Sequence, residues 1–320
     1  MQSATNPARP IPEDRAPVHG VTPLLDRVHR RLSSGEVGTG MRDLFTGLLD
    51  ARQCATGESW RRLARQVAIE HPLRRLIHQD PMCRRSYDKP RGYAGDAVLL
   101  DYIYRILDPA DASSIGRAIY DYNTGRPAAR AVRHRREWIA FTIDRVAEQA
   151  PVPARVLSIA CGHLREAELS AAMRNAWLEE VVALDSDPDS LRVAAAHAPG
   201  PISTVEMSVG RLMARPDPLG RFDLVYSAGL FDYLDLRVAT RLVETMFAML
   251  RPGGRLLFSN FLPTVPDAGY MESYMGWDLI YRDHEQLAET FATLPRDDIA
   301  ESRVYSDPYA SIGYVEVVRR

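Results

Sequence analysis

In the stretch SIACGHLREAEL, Ser158 to Leu169, a short apolar run leads into a turn at Gly162, where backbone N–H groups can approach an anionic ligand group. A second apolar run ends at Asp185, 23 residues beyond Gly162, the spacing at which a carboxylate accepts hydrogen bonds from the hydroxyls of a ribose. Ala160, Cys161 and Gly162 at the end of one strand and in the turn after it, and Asp185 with Ser186 at the end of the next, therefore read as a nucleoside site. Ser208, Val209 and Gly210 follow the third apolar run and would border a base. Ser227, Ala228 and Gly229 follow the fourth and offer small residues where a ligand crosses the sheet. Asp187 precedes Pro188, which suits a helix N-cap with proline at the first helical position rather than a ligand contact.

A second group lies upstream. SYDKPRGYAGD, Ser86 to Asp96, holds Lys89, the single lysine among 40 basic residues, and six of the 14 tyrosines fall at 87, 93, 102, 104, 120 and 122. Pro90 stiffens this stretch, while Gly92 and Gly95 permit positive φ and close backbone contact. Lys89 has two readings, a partner for a substrate carboxylate or for Asp88 or Asp96. Arg133, Arg135 and Arg136 lie close before the first strand, and Arg133 and Arg136 share one helical face, an arrangement that suits a carboxylate. His163 reads either as a base or as a helix-start residue. Phe231, Asp232 and Tyr233 sit where a second substrate would enter. Metal-ligand spacings and a Ser-His-Asp order do not stand out.

The elements that position these residues change character along the chain. Residues 1–20 are proline-rich and read as a disordered tail, without the apolar region of a signal peptide. Residues 21–150 carry apolar residues three and four apart and read as a helical cap, ending in a long basic helix from Arg126 to Ala150. After Pro151 and Pro153, residues 151–320 alternate short apolar runs with helical patterns, which indicates an α/β domain on a parallel sheet. Strands are expected at 155–160, 180–184, 202–207, 222–227, 255–261, 301–306 and 313–320, and helices at 165–176 and over GDAVLLDYIYRIL, 95–107. The net charge of −2 argues against a nucleic-acid partner, no run is long enough for a membrane span, and three scattered cysteines fit a reduced, cytoplasmic chain. Oligomeric state leaves no mark.

The order SIACGH, ALDSDP, FDLVYSAGLFDYL, MLRPGGRLLFSNF resembles the class I methyltransferases that use S-adenosylmethionine (SAM), over about residues 155 to 320. With KPRGYAGD upstream it resembles, from about Tyr87, the subgroup that makes methyl esters of extracellular signal molecules. The likeness implies a Rossmann-like seven-stranded sheet flanked by helices, SAM as cofactor, and methyl transfer to a carboxylate or hydroxyl of a small molecule in specialised metabolism. Where the family reads acid-x-G-x-G-x-G, this chain has Ser158, Ala160, Gly162 and Leu164, so the acid and two glycines are missing. On this reading Tyr93 stands near the sulfonium, because an aromatic face attracts the positive sulfur. Arg133 and Arg136 take the cofactor's carboxylate, and Asp96 either caps a helix or takes its ammonium. Tyr93, Asp232 or Tyr233 orients or deprotonates the acceptor. Two other functions use the same features: a cyclase closing the aminobutyrate arm of SAM with release of methylthioadenosine, and a SAM-binding scaffold without turnover.

Overall fold

Seven apolar runs pair into one sheet in the computed structural model, which describes residues 16–320. The strands are β1 Ala154–Ile159, β2 Leu178–Asp185, β3 Ile202–Glu206, β4 Phe222–Ser227, β5 Leu250–Phe261, β6 Ile299–Ser306 and β7 Ile312–Arg319. Their order is β3-β2-β1-β4-β5-β7-β6, parallel through β5, with β7 antiparallel to both β5 and β6. This is the Rossmann-like seven-stranded α/β arrangement expected from the sequence. The order reverses between β1 and β4, so the carboxyl ends of these two strands open a crevice, as at the switch point of any doubly wound sheet.

Before the sheet come α1 Ala16–Ser33, α2 Val37–Cys54, α3 Pro81–Asp88, α4 Ala97–Ile103, α5 Ser114–Thr124 and α6 Pro127–Gln149, with shorter turns between α2 and α3. Residues 1–15 of the expected tail lie outside the described residues, and α1 begins inside the stretch read as that tail. Local signals set the helix ends. Asp80 caps α3 ahead of Pro81, Asp96 caps α4 by accepting from the Leu99 N–H, and Pro127 opens α6.

The helical region shares its core with the sheet. One apolar cluster runs from Leu25, Leu44 and Trp60 to Tyr226, Phe261 and Tyr314, while a second, with Phe222, Phe231 and Val315, fills the opposite face. Arg52 and Trp60 both donate to Glu272, on α7 Ala268–Tyr274, and add a polar tie across the same seam. The cap is thereby held as an integral layer over the crevice.

Two expected helices end early. The 95–107 pattern is helical only through Ile103, because Arg105 adopts φ 60° and turns the chain. The 165–176 pattern splits into a tight turn, Arg165–Glu168, and a four-residue helix capped by Ser170. No long helix therefore follows the turn after β1, contrary to the expected helix over 165–176.

Candidate functional site

A cavity of about 350 Å³ lies at the carboxyl ends of β1, β2 and β4, beneath the loop from Arg91 to Asp96. Its floor begins with the turn after β1. Ala160, Gly162 and Leu164 all take left-handed backbone, at φ 52°, 55° and 52°. The conformation that glycines usually supply is therefore kept here with two side chains, at a cost of order 1 kcal/mol per residue. The glycines that the sequence lacks are absent chemically but present geometrically. We expect Ala160→Gly to leave the fold intact and raise the free energy of unfolding by up to about 1 kcal/mol, read by urea denaturation; a loss of stability would show that Ala160 is unstrained.

Asp185, only 7 % exposed, ends β2 and takes the Gly162 N–H on Oδ2 at 2.8 Å and the Asp187 N–H on Oδ1 at 2.9 Å. Each oxygen keeps a lone pair for a ligand hydroxyl. Asp187 is the N-cap of the helix Pro188–His197, with proline at its start, as read from the sequence. It also binds Arg91 at 2.8 Å, while Arg91 donates to Ser190, so the loop above the cavity is clasped to the sheet domain.

Two aromatic walls close the middle. Tyr93 and Tyr233 meet edge to face at 6.2 Å, and Trp277 donates its indole N–H to the Tyr233 hydroxyl at 2.7 Å. Gly95 is required here, since a Cβ at that position would stand 2.4 Å from the Tyr233 oxygen. Burial, with Asp185 and Asp96 nearby, pushes the Tyr93 phenol up to about 12, and burial beside Asp232 raises that of Tyr233 further. Both are neutral donors at neutral pH.

The far end is polar. Asp101, His163, Arg165, Glu166 and Tyr104 line it, none of them named as site residues from the sequence except for the open reading of His163. Arg165 grips both Asp101 oxygens, at 2.9 and 2.8 Å, and His163 Nδ1 lies 2.8 Å from Asp101 Oδ2. Burial pushes the Asp101 carboxyl up, but the bonds from His163 and Arg165 outweigh it and hold it low. Burial raises Glu166, although it accepts from Tyr226 at 2.6 Å. The Cys161 thiol is raised by burial and stays protonated.

Of the sequence candidates, Tyr93, Ala160, Cys161, Gly162, Asp185, Ser186, Val209, Ala228, Gly229 and Tyr233 line this cavity. Six do not. Arg133 donates to the Ile103 carbonyl at 3.0 Å, and the Arg136 guanidinium lies over the Tyr104 ring at 4.6 Å. It is Arg135, 3 % exposed, that α6 turns toward the end of β4, 3.4 Å from where a Cβ on Gly229 would stand, with its Nε unpartnered. Ser208 caps the helix Val209–Ala214, which takes Gly210 away from the cavity. The Ser227 hydroxyl donates to the Ile159 carbonyl and ties β4 to β1. Asp232 is buried beneath the site, where it accepts from the Phe261 N–H and is pushed up to about 7 by burial.

Lys89 and the tyrosines are also redistributed. Lys89 sits at φ 49° after α3, its side chain lying 3.7 Å from the Cβ position of Gly276. Asp88 goes to Arg84 and Asp96 to Arg85, the latter through two bonds, so Lys89 pairs with neither. Asp96 caps α4, the first of its two expected roles. Only Tyr93 and Tyr104 of the six clustered tyrosines reach the cavity. The others pack elsewhere in the helical region, Tyr122 against Phe45 and Tyr120 onto the Tyr102 carbonyl. A tyrosine count does not say which face of a helix each ring occupies.

Residues 156–254 match the family model of the methyltransferase domain. Among solved structures, a possible exported protein from Bordetella parapertussis is 17% identical over 95% of this chain and 97% of its own, with a TM-score of 0.57. That likeness extends the shared fold through the helical region. Magnesium protoporphyrin IX methyltransferase from Synechocystis PCC 6803, with bound S-adenosylhomocysteine (SAH), is 15% identical over 60% of this chain and 86% of its own, with a TM-score of 0.45. The plantazolicin methyltransferase BpumL, in complex with SAH, is 10% identical over 79% and 99%, with a TM-score of 0.47. No curated protein matches the sequence. Among the described residues, no helix is long and apolar enough to cross a membrane.

Proposed function

We propose that the protein is a SAM-dependent methyltransferase, with SAM in this cavity and an oxygen of a small molecule, carboxylate or hydroxyl, as acceptor. The observation that carries the reading is Asp185: its two oxygens are fixed by backbone N–H groups at the end of β2, beside the switch point of a matched methyltransferase domain. The donor set fits the cofactor's parts. Asp185 takes the ribose hydroxyls, Met207 and Val209 flank the base, and the aromatic wall of Tyr93 and Tyr104 faces the charged sulfur. Arg135, whose guanidinium lies beside Gly229 of the cavity lining, replaces Arg133 and Arg136 as the cation for the carboxylate.

SAM supplies a methyl group on a positively charged sulfur. The protein's task is to hold the acceptor in line at about 3 Å and to exclude water. Tyr93 and Tyr233, the latter held by Trp277, line the cavity at that point, and the neutral phenols orient the acceptor by donating to it. The KPRGYAGD resemblance supports a product of the methyl-ester or ether type in specialised metabolism. The deciding experiment is calorimetry with SAH followed by incubation with SAM and candidate acceptors. Binding in the micromolar range and acceptor-dependent SAH formation support the assignment. Methylthioadenosine formed without acceptor would replace it with cyclisation, and binding with no turnover across acceptors would replace it with a scaffold.

A further inference from the structure

We propose that His163 is the proton acceptor of this cavity, set in its working tautomer by Asp101, and that the acceptor it serves is a hydroxyl rather than a carboxylate. The inference rests on the cofactor reading above and deepens it. Three observations carry it. Asp101 is fixed from two sides, by the Arg165 fork and by His163 Nδ1 at 2.8 Å. An ionised carboxylate has no proton to donate, so Nδ1 carries the hydrogen; in the neutral imidazole Nε2 is then left with its lone pair. That Nε2 is buried without any partner, on a residue that lines the cavity and is only 6 % exposed.

A buried lone pair of this kind is costly unless a donor meets it. Hydroxyl groups are such donors, and carboxylates are not. The charges around this end argue the same way: Asp101 and Asp185 line the cavity, and Arg165 is already consumed by Asp101 and by Glu168 at 2.7 Å. The other base candidates are poorly suited. The phenols of Tyr93 and Tyr233 are held neutral by burial, and Asp232 spends an oxygen on the Phe261 N–H away from the cavity.

The step balances. The acceptor oxygen attacks the methyl carbon, the C–S electron pair stays on sulfur to give a neutral thioether, and the hydroxyl proton passes to His163 Nε2. Asp101 stabilises the resulting imidazolium; it is a positioning residue.

The test uses the full chain with ¹⁵N-labelled histidine. In the free protein His163 should show a protonated Nδ1 and an unprotonated Nε2, with Asp101→Asn disturbing that tautomer. With SAH saturating, benzyl alcohol should shift the Nε2 resonance and benzoate should not. An Nε2–H tautomer, a response to benzoate alone, or no response to either probe overturns the proposal. In parallel, His163→Gln should bind SAH within about threefold of wild type, while hydroxyl methylation falls at least about a hundredfold. Loss of SAH affinity with unchanged turnover would make His163 a binding residue and end the base assignment. If the wild type fails to bind SAH at all, the cofactor reading itself fails, a result distinct from SAH binding with the wrong tautomer.

Discussion

Asp185→Ala should weaken SAH binding by at least about a hundredfold. In the proposed pose each ribose hydroxyl would donate to a charged acceptor, a bond worth about 1.5–3 kcal/mol, and the variant would lose two of them. The same carboxylate also holds the Gly162 and Asp187 N–H groups, at 2.8 and 2.9 Å, so its removal loosens the turn that shapes the floor. Adenosine distinguishes the two effects: it carries the diol but no methionine arm, and it should lose affinity in parallel with SAH. Asp185→Asn, which retains one acceptor oxygen, should fall between. Calorimetry on the three proteins, with circular dichroism as a control for folding, checks this; an Ala variant within fivefold of wild type for SAH would remove the ribose assignment.

Far from the cavity, Glu316→Ala should cost about 3–5 kcal/mol of stability. Glu316 on β7 is 1 % exposed and receives Arg145 at 2.8 Å, Arg303 at 2.6 Å and Arg255, three guanidinium groups converging on one carboxylate. The Tyr305 hydroxyl adds a bond at 3.2 Å. Removing the anion leaves mutually repelling cations against the sheet, two of them largely buried. Burial and the neighbouring Arg145 and Arg303 already lower the Arg255 guanidinium. Glu316→Gln, which keeps the shape and one acceptor, should cost less. Denaturant unfolding monitored by tryptophan fluorescence gives both values, and a shift under 1 kcal/mol for the Ala variant would mean that the arginines find water instead. SAH affinity of the folded protein should be unaffected in either case, because this cluster lies at the β5-β7-β6 side of the sheet.

The sequence candidates whose location is set by the backbone next to them are among those that the structure brings to the cavity or its rim. Gly162, Asp185 and Ser186 stand at strand ends, and a parallel strand's carboxyl end has a known side of the sheet to face. Asp187 and Asp96 are followed by the start of a helix, so their capping is local chemistry. Arg133 and Arg136 show where that reasoning stops. Periodicity put them on one face, but the rotation of α6 is fixed by contacts with distant segments, such as Trp138 with Tyr305 and Arg145 with Glu316, and it brings Arg135 beside Gly229 instead.

The dyad of Asp101 and His163, 62 residues apart, has the same origin. In the sequence Asp101 is a polar interruption in an apolar helix, unremarkable by spacing. Only the early end of α4 and the docking of the cap on β1 bring it to the turn after Gly162. Ala160 and Leu164 mark the opposite limit, since no pattern of residue types predicts left-handed backbone at two non-glycine positions; the packed turn imposes it.

By itself, then, the sequence determined the strand alternation, the α/β class, the helical character of residues 21–150 and the carboxylate at the end of β2. These follow from nearest-neighbour physics, namely side-chain periodicity, capping and turn propensity. Tertiary structure alone decided which arginine approaches Gly229, which tyrosines roof the cavity, where Lys89 rests and what His163 faces, because each depends on a contact between segments that share no local signal.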